Sequence, residues 1–142
     1  MGKRAAAAAV LFVAGIFPAA ATVRIHDDRG GQIGVYLDRF HALRRSGERV
    51  AIDGVCASAC TMLLGAIPER RICVTPRAVL EFHSAWNPTP AGSQVISSAG
   101  NRILWSTYPA KIRNWIVQHG GLGTRIIYLS GADLAAMYPA CR

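Results

Sequence analysis

Gly54-Val55-Cys56-Ala57-Ser58-Ala59-Cys60-Thr61 reads as the end of a strand, a tight turn and the start of a helix. A serine stands at the turn with only small residues beside it. A hydroxyl there lies among helix N-terminal N–H groups, where negative charge is favoured. His83 follows 25 residues later and ends the strand-like run Val79-Leu80-Glu81-Phe82-His83. A serine hydroxyl is a weak nucleophile until a base takes its proton, and a strand-end histidine is placed to do so. The competing reading makes Ser58 a helix N-cap and His83 a histidine held by a backbone carbonyl.

Outward from this turn, strands alternate with helices. Val23-Arg24-Ile25 is a short strand, followed by an Asp-Asp-Arg-Gly-Gly loop over Asp27 to Gly34. A helix period runs from Val35 to Arg45 and stops at Ser46-Gly47. Strands are predicted at 49–55, 71–74 and 79–82, with a buried helix over 59–66. The Pro-, Gly- and Ser-rich stretch 87–100 reads as a loop or lid. An amphipathic helix over 103–119 is predicted to be interrupted or kinked near Pro109, then come a short strand at 125–129 and a helix at 132–137. The pattern predicts one parallel α/β domain with crossover helices.

Lys3 and Arg4, the apolar run Ala5 to Phe17 and Pro18-Ala19-Ala20-Ala21 have the form of a secretory leader cleaved after Ala21. The expected mature domain is 22–142, periplasmic or secreted, with membrane contact only if the leader stays uncleaved. Without Lys3 and Arg4, sixteen basic residues become fourteen against eight acidic, and the formal charge falls from +8 to +6. The arginines are scattered without interleaved aromatics, which argues against a nucleic-acid partner. Cys56, Cys60, Cys73 and Cys141 suggest two disulfides in an exported chain. Three pairings are open. One joins Cys56 to Cys60 across a first helical turn and leaves Cys73 for Cys141. No metal-ligand spacing is present, and no metal or cofactor is expected.

Three segments resemble the proteolytic subunit of Clp protease and the wider crotonase-like fold, and in particular small exported alphaproteobacterial proteins with a degenerate version of it. Asp28-Arg29-Gly30-Gly31-Gln32-Ile33 is similar to the family's Ser-Pro-Gly-Gly-x-Val loop. Gly54-Val55-Cys56-Ala57-Ser58-Ala59 is similar to its Gly-x-Ala-Ala-Ser nucleophile turn. Arg77 to His83 is similar to the strand ending in its catalytic histidine. Tyr128-Leu129-Ser130-Gly131-Ala132-Asp133 resembles a family Phe-Leu-Ser-x-x-Glu helix start. The resemblance implies a Clp-protease/crotonase-like α/β core and a serine peptidase acting on a peptide or protein substrate. In it, Ser58 is the nucleophile, His83 the base, and the amides of Gly31 and Ala59 the oxyanion hole. It also implies assembly of copies of the chain into a homo-oligomer.

The chain departs from the family at the third catalytic position. The family's acid aligns near Leu122-Gly123-Thr124, where no acid stands. The candidates for a third member are then Asp133, a lysine dyad through Lys111, or Asp27, Asp28 or Asp53 from another direction. Loss of the acid in a Ser-His-Asp triad costs about 10⁴ in kcat. The alternative function is therefore a binding or structural module that kept this fold and lost efficient catalysis. Trp86, Trp105 and Trp115 read as core or interface anchors, with Trp86 placed to line a substrate pocket. His26, His41 and His119 have no such context.

Overall fold

The computed structural model describes residues 21–142, so the leader read at residues 1–21 lies outside it apart from Ala21. Thr22–Ile25 (β1) runs parallel to Arg49–Ile52 (β2), with Thr22 opposite Arg49 and Ile25 opposite Ile52. The helix Ile33–Ser46 (α1) makes the crossover between them. It buries Phe40 and Leu43, and Gly47 closes it in the left-handed conformation at φ 79°.

The predicted strand 49–55 is two strands. The chain leaves β2 at Asp53-Gly54 and enters Val55–Ala57 (β3), which belongs to a second sheet. The predicted helix 59–66 is a 3-10 helix, Ser58–Met62, followed by one α-turn, Leu63–Ala66 (α2). Ile72–Val74 (β4) returns to the first sheet beside β2, giving the order β1-β2-β4. Val79–Phe82 (β5) pairs parallel with β3.

The stretch expected to be a loop contains a hairpin, Trp86–Pro88 (β6) against Gln94–Ile96 (β7). The helical stretch 103–119 is interrupted at Pro109, giving two helices, Ser98–Thr107 (α3) and Ala110–Gln118 (α4). Ser97 caps α3 by accepting from the Gly100 N–H. Tyr108 is extended before Pro109, as the proline ring requires, and this separates the two helices. Ile127–Ser130 (β8) completes the second sheet, β3-β5-β8, and Gly131–Met137 (α5) ends the fold.

The architecture is mixed α/β. β8 is antiparallel to β5, where the sequence reading expected parallel strands throughout. The reason lies just before it. The Ser84 N–H donates to the Gly123 carbonyl at 2.8 Å, which places the incoming chain at the far end of β5. A strand starting there can only run back along β5.

One core unites the two sheets and the helices, with Phe40, Leu63, Leu80, Phe82, Tyr108, Ile112 and Ile116 fully buried. Phe82 meets Tyr108 edge-on at 5.5 Å and Trp115 at 6.0 Å. Gly65 lies where a Cβ would stand 1.6 Å from the Thr107 carbonyl oxygen, so α2 meets the end of α3 backbone to backbone.

Two disulfides form, Cys56–Cys60 and Cys73–Cys141, and no cysteine is free among the described residues. The second spans 68 residues and the first only 4. It ties down a C-terminal segment that also extends the first sheet, with Ala140 bridged to Val74. Chain entropy assigns about 4 kcal/mol to a loop the size of the second and about 2 kcal/mol to the first. Denaturant unfolding of the Cys73→Ser/Cys141→Ser and Cys56→Ser/Cys60→Ser proteins should show the first losing about twice as much stability. Equal losses would mean that native contacts around Cys56, not loop length, set the balance.

Candidate active site

The β3–β5 register creates the site. Cys56 lies opposite Leu80, and Ala57 opposite Glu81. Ser58 is the next residue on one strand, and His83 stands two beyond Glu81 on its neighbour. Cys56 and Leu80 point into the core and are fully buried. Glu81 and His83, one period later on the strand, share the other face.

Ser58 adopts φ 54°, in the left-handed region that a residue with a side chain seldom occupies. The helix cap falls on Ala57, and Ser58 Oγ makes no cap hydrogen bond. The N-cap reading of this serine is therefore not met. Its carbonyl accepts from Thr61 Oγ1 at 2.6 Å, and Thr61 Oγ1 also meets Tyr108 Oη at 2.7 Å. Burial pushes the Tyr108 hydroxyl well above the ordinary tyrosine range. The turn is thus fastened to the α3–α4 junction through a buried pair of hydroxyls, and to itself by Cys56–Cys60.

The glycine loop packs on this turn. Asp28 bridges in parallel to Cys56: its N–H donates to the Val55 carbonyl and its carbonyl accepts from the Ala57 N–H, both at 2.8 Å. Gly30 has φ 79°, and a Cβ there would lie 2.5 Å from the Ala57 carbonyl oxygen and 2.8 Å from Ser58 Cβ. Only glycine admits this contact. The amides of Gly31 and Ala59 donate to no acceptor among the described residues.

Asp28 fixes the loop. Its carboxylate accepts from the Gly30 N–H at 3.0 Å, from Arg39 at 2.9 Å and from the Tyr36 hydroxyl. Burial opposes the charged form, but the bonds from Tyr36, Gly30 and Arg39 outweigh it and hold the carboxyl below its ordinary pKa. Burial and the same carboxylate push the Tyr36 hydroxyl up to about 12.

His83 Nδ1 lies 2.8 Å from the Ser84 carbonyl oxygen. A carbonyl only accepts, so Nδ1 is the donor, and in the neutral ring this leaves Nε2 as the acceptor. No hydrogen bond joins His83 to Ser58 in this structure. His83 instead lines a cavity of about 340 Å³ with Ser84, Trp86, Gln94, Ile96, Thr124 and Ile126, and Ser58 is not among the lining residues. Trp86, Ile96 and Ile126 give the cleft an exposed apolar wall.

Among the described residues, no carboxylate or lysine makes a hydrogen bond or ion pair with His83. The 122–124 segment passes beside the end of β5 and presents Thr124 there. Asp133 lies on α5, which follows Ser130, and Ser130 pairs with Val79 at the opposite end of β5 from His83. Lys111 Nζ donates to the Met137 carbonyl, pairs with Glu69 at 2.7 Å and sits over the Tyr138 ring. It is occupied in holding α4 to the C-terminal segment. Asp28 serves the glycine loop. Asp53 is engaged by Arg24, Arg77 and Thr75. The hydrogen bonds from Arg77 and Thr75 hold its carboxyl well below the usual carboxylate range.

The sequence reading passed over Glu81. Its side chain is 13 % exposed, on the His83 face, with Arg29 at 3.7 Å. The alternation Leu80 in, Glu81 out, Phe82 in, His83 out was the available signal. Arg29 thereby links the glycine loop to β5. Among the described residues, no cluster of histidine, cysteine or acidic side chains is arranged to hold a metal.

No known protein family matches the chain, and no curated protein is similar to it in sequence. Among solved structures it is similar to the ClpP1 N165D mutant from Listeria monocytogenes, with TM-score 0.46 and 16% identity, over 82% of this chain and 68% of that one. Likeness at that level says nothing of chemistry.

Two outcomes follow from the turn and its carboxylates. Thr61→Val leaves the Tyr108 hydroxyl buried without its partner and should cost about 1–3 kcal/mol in urea unfolding. Tyr108→Phe, which removes the orphan, should cost less. The Asp28 and Asp53 carboxyls titrate lower folded than unfolded. Their contribution is therefore fully present above the unfolded aspartate value of about 3.9 and is lost as pH falls through the folded values. Stability measured against pH in the acid range should decline less steeply for Asp53→Asn than for the natural chain. Equal slopes would exclude Asp53 as a source of acid sensitivity.

Proposed function

We propose that the protein is an exported serine hydrolase that cleaves peptide bonds on a Clp-protease/crotonase-like core. The observation that carries this reading is the β3–β5 register. It sets Ser58, at a positive-φ turn, and His83 on adjoining strand ends, with the Gly30-Gly31 loop packed on the serine. Ser58 Oγ attacks the substrate carbonyl and His83 Nε2 takes its proton. The amides of Gly31 and Ala59 receive the oxyanion. His83 then returns the proton to the leaving amine, and water releases the acyl group by the same route.

The scheme requires Ser58 and His83 to come together in the Michaelis complex, where catalytic hydrogen bonds tighten. The apolar wall of Trp86, Ile96 and Ile126 suits an apolar substrate side chain. The Ser84 carbonyl holds the imidazole tautomer that the family's acid would otherwise hold. No metal or cofactor enters this scheme.

Two disulfides fit an extracellular or periplasmic protein. Cleavage of the leader after Ala21 would deliver the 22–142 domain there. Assembly into a homo-oligomer belongs to the same reading, and nucleic acid does not. The second reading, a binding or structural module with impaired catalysis, is favoured by the absent Ser58–His83 hydrogen bond and by Thr124 in place of an acid.

A fluorophosphonate probe on the purified protein separates the two. The hydrolase predicts labelling that disappears in Ser58→Ala and slows roughly 10²–10⁴-fold in His83→Ala, the range of general-base contributions. Labelling absent throughout the neutral and mildly alkaline range, or unchanged in Ser58→Ala, would leave the binding module.

A further inference from the structure

We infer that the edge of the first sheet opposite the glycine loop is a docking surface for an anionic phospholipid membrane. Five arginines converge there. The registers put Thr22, Arg49 and Arg71 side by side, since Thr22 pairs with Arg49 and Val50 with Ile72. Arg70 precedes Arg71 in the short 3-10 helix Glu69–Arg71 that leads into β4. Arg44 and Arg45 fill the last turn of α1, which ends just before β2 begins.

The five divide by function. Arg71 donates to the carbonyls of Leu43, Arg44 and Glu48, and Arg44 to that of Ala66. These two satisfy the α1 terminus and its neighbours. Arg45, Arg49 and Arg70 are exposed and donate from their side chains to no acceptor among the described residues. The acids nearby do not balance them. Glu69 is taken by Lys111, and Glu48 accepts from Ser46. Counting Lys111, six cations stand against Glu48 and Glu69, so this edge carries +4 of the +6 between residues 22 and 142.

A second observation identifies the partner. The Arg49 N–H donates to the Ala21 carbonyl at 2.9 Å, so the chain joins the fold beside these arginines. The apolar run Ala5 to Phe17 stands a few residues upstream in the sequence. A domain delivered by such a segment, or retained on it, presents this edge to the lipid headgroups first. β1 then leads away toward the Asp28–Gly31 loop, which leaves the candidate site facing from the membrane. Arginines near an anionic surface each contribute about fivefold to binding, through a field that salt screens.

The test is co-sedimentation of the full chain with vesicles of phosphatidylglycerol in phosphatidylcholine and with phosphatidylcholine alone. The readout is the ratio of the two partition coefficients, which removes binding through the apolar segment common to both. Arg45→Gln/Arg49→Gln/Arg70→Gln should lower that ratio on the order of a hundredfold at low salt. The control Arg102→Gln/Arg125→Gln, with exposed arginines elsewhere, should lower it by no more than about twofold. Both variants change only exposed side chains, and unchanged thermal unfolding verifies each fold. Equal effects of the two variants, or a ratio near one for the natural chain, would overturn the inference.

Discussion

The structure turns on a serine held where serine is uncomfortable. Ser58 at φ 54° costs about 1–2 kcal/mol relative to ordinary backbone, and it persists because its surroundings leave no alternative. Cys56–Cys60 closes the turn from both sides, Thr61 and Tyr108 hold its carbonyl from below, and Gly30 fills the space above it. The short disulfide adds little through chain entropy. Its value is local, because it joins the last residues of β3 to the first turn beyond the serine. A hydroxyl raised on such a turn stands clear of its own backbone, which both a nucleophile and a ligand contact require.

Three of the acidic residues of this basic chain are committed to building. Asp28 gathers Gly30, Tyr36 and Arg39, and so ties the glycine loop to α1. Asp53 gathers Arg24, Arg77 and Thr75 where the two sheets part. Glu69 is matched with Lys111. Eight acidic residues against fourteen basic ones leave few carboxylates for chemistry once these are assigned. Charge is accordingly polarised. The glycine loop keeps Asp28 paired, and the far edge of the first sheet keeps Arg45, Arg49 and Arg70 open.

Much of this was legible in the sequence because it is written in local patterns. The strand-turn-helix reading of 54–61, the paired glycines and the alternation in Val79 to His83 each follow from neighbours in the chain. The Cys56–Cys60 and Cys73–Cys141 pairing is among those the spacing left open, and it forms. What was not legible depends on contacts distant in sequence. The reversal of β8 rests on a Ser84–Gly123 hydrogen bond, and the split of 49–55 on where Asp53 finds arginines. Lys111 and Asp133 looked available because nothing in the sequence reveals that Lys111 is held by Glu69 and the Met137 carbonyl, or that α5 follows the end of β5 opposite His83. Glu81 was overlooked although the alternation that puts it on the His83 face is local; its link to Arg29 is not.

The Ser84 carbonyl explains how a histidine without an acid can still be poised. An aspartate behind an imidazole does two things: it fixes the proton on Nδ1, and its charge stabilises the imidazolium formed when the ring accepts a second proton. A backbone carbonyl does the first fully, because it can only accept. It does the second weakly, with a dipole in place of a charge. The one carboxylate on the same face, Glu81, is turned to Arg29 and 13 % exposed, so its field at His83 is largely offset by the guanidinium. The site therefore retains orientation and has given up most of the electrostatic reward for proton transfer. On the hydrolase reading, a base oriented by a carbonyl with no charge behind it predicts slow turnover.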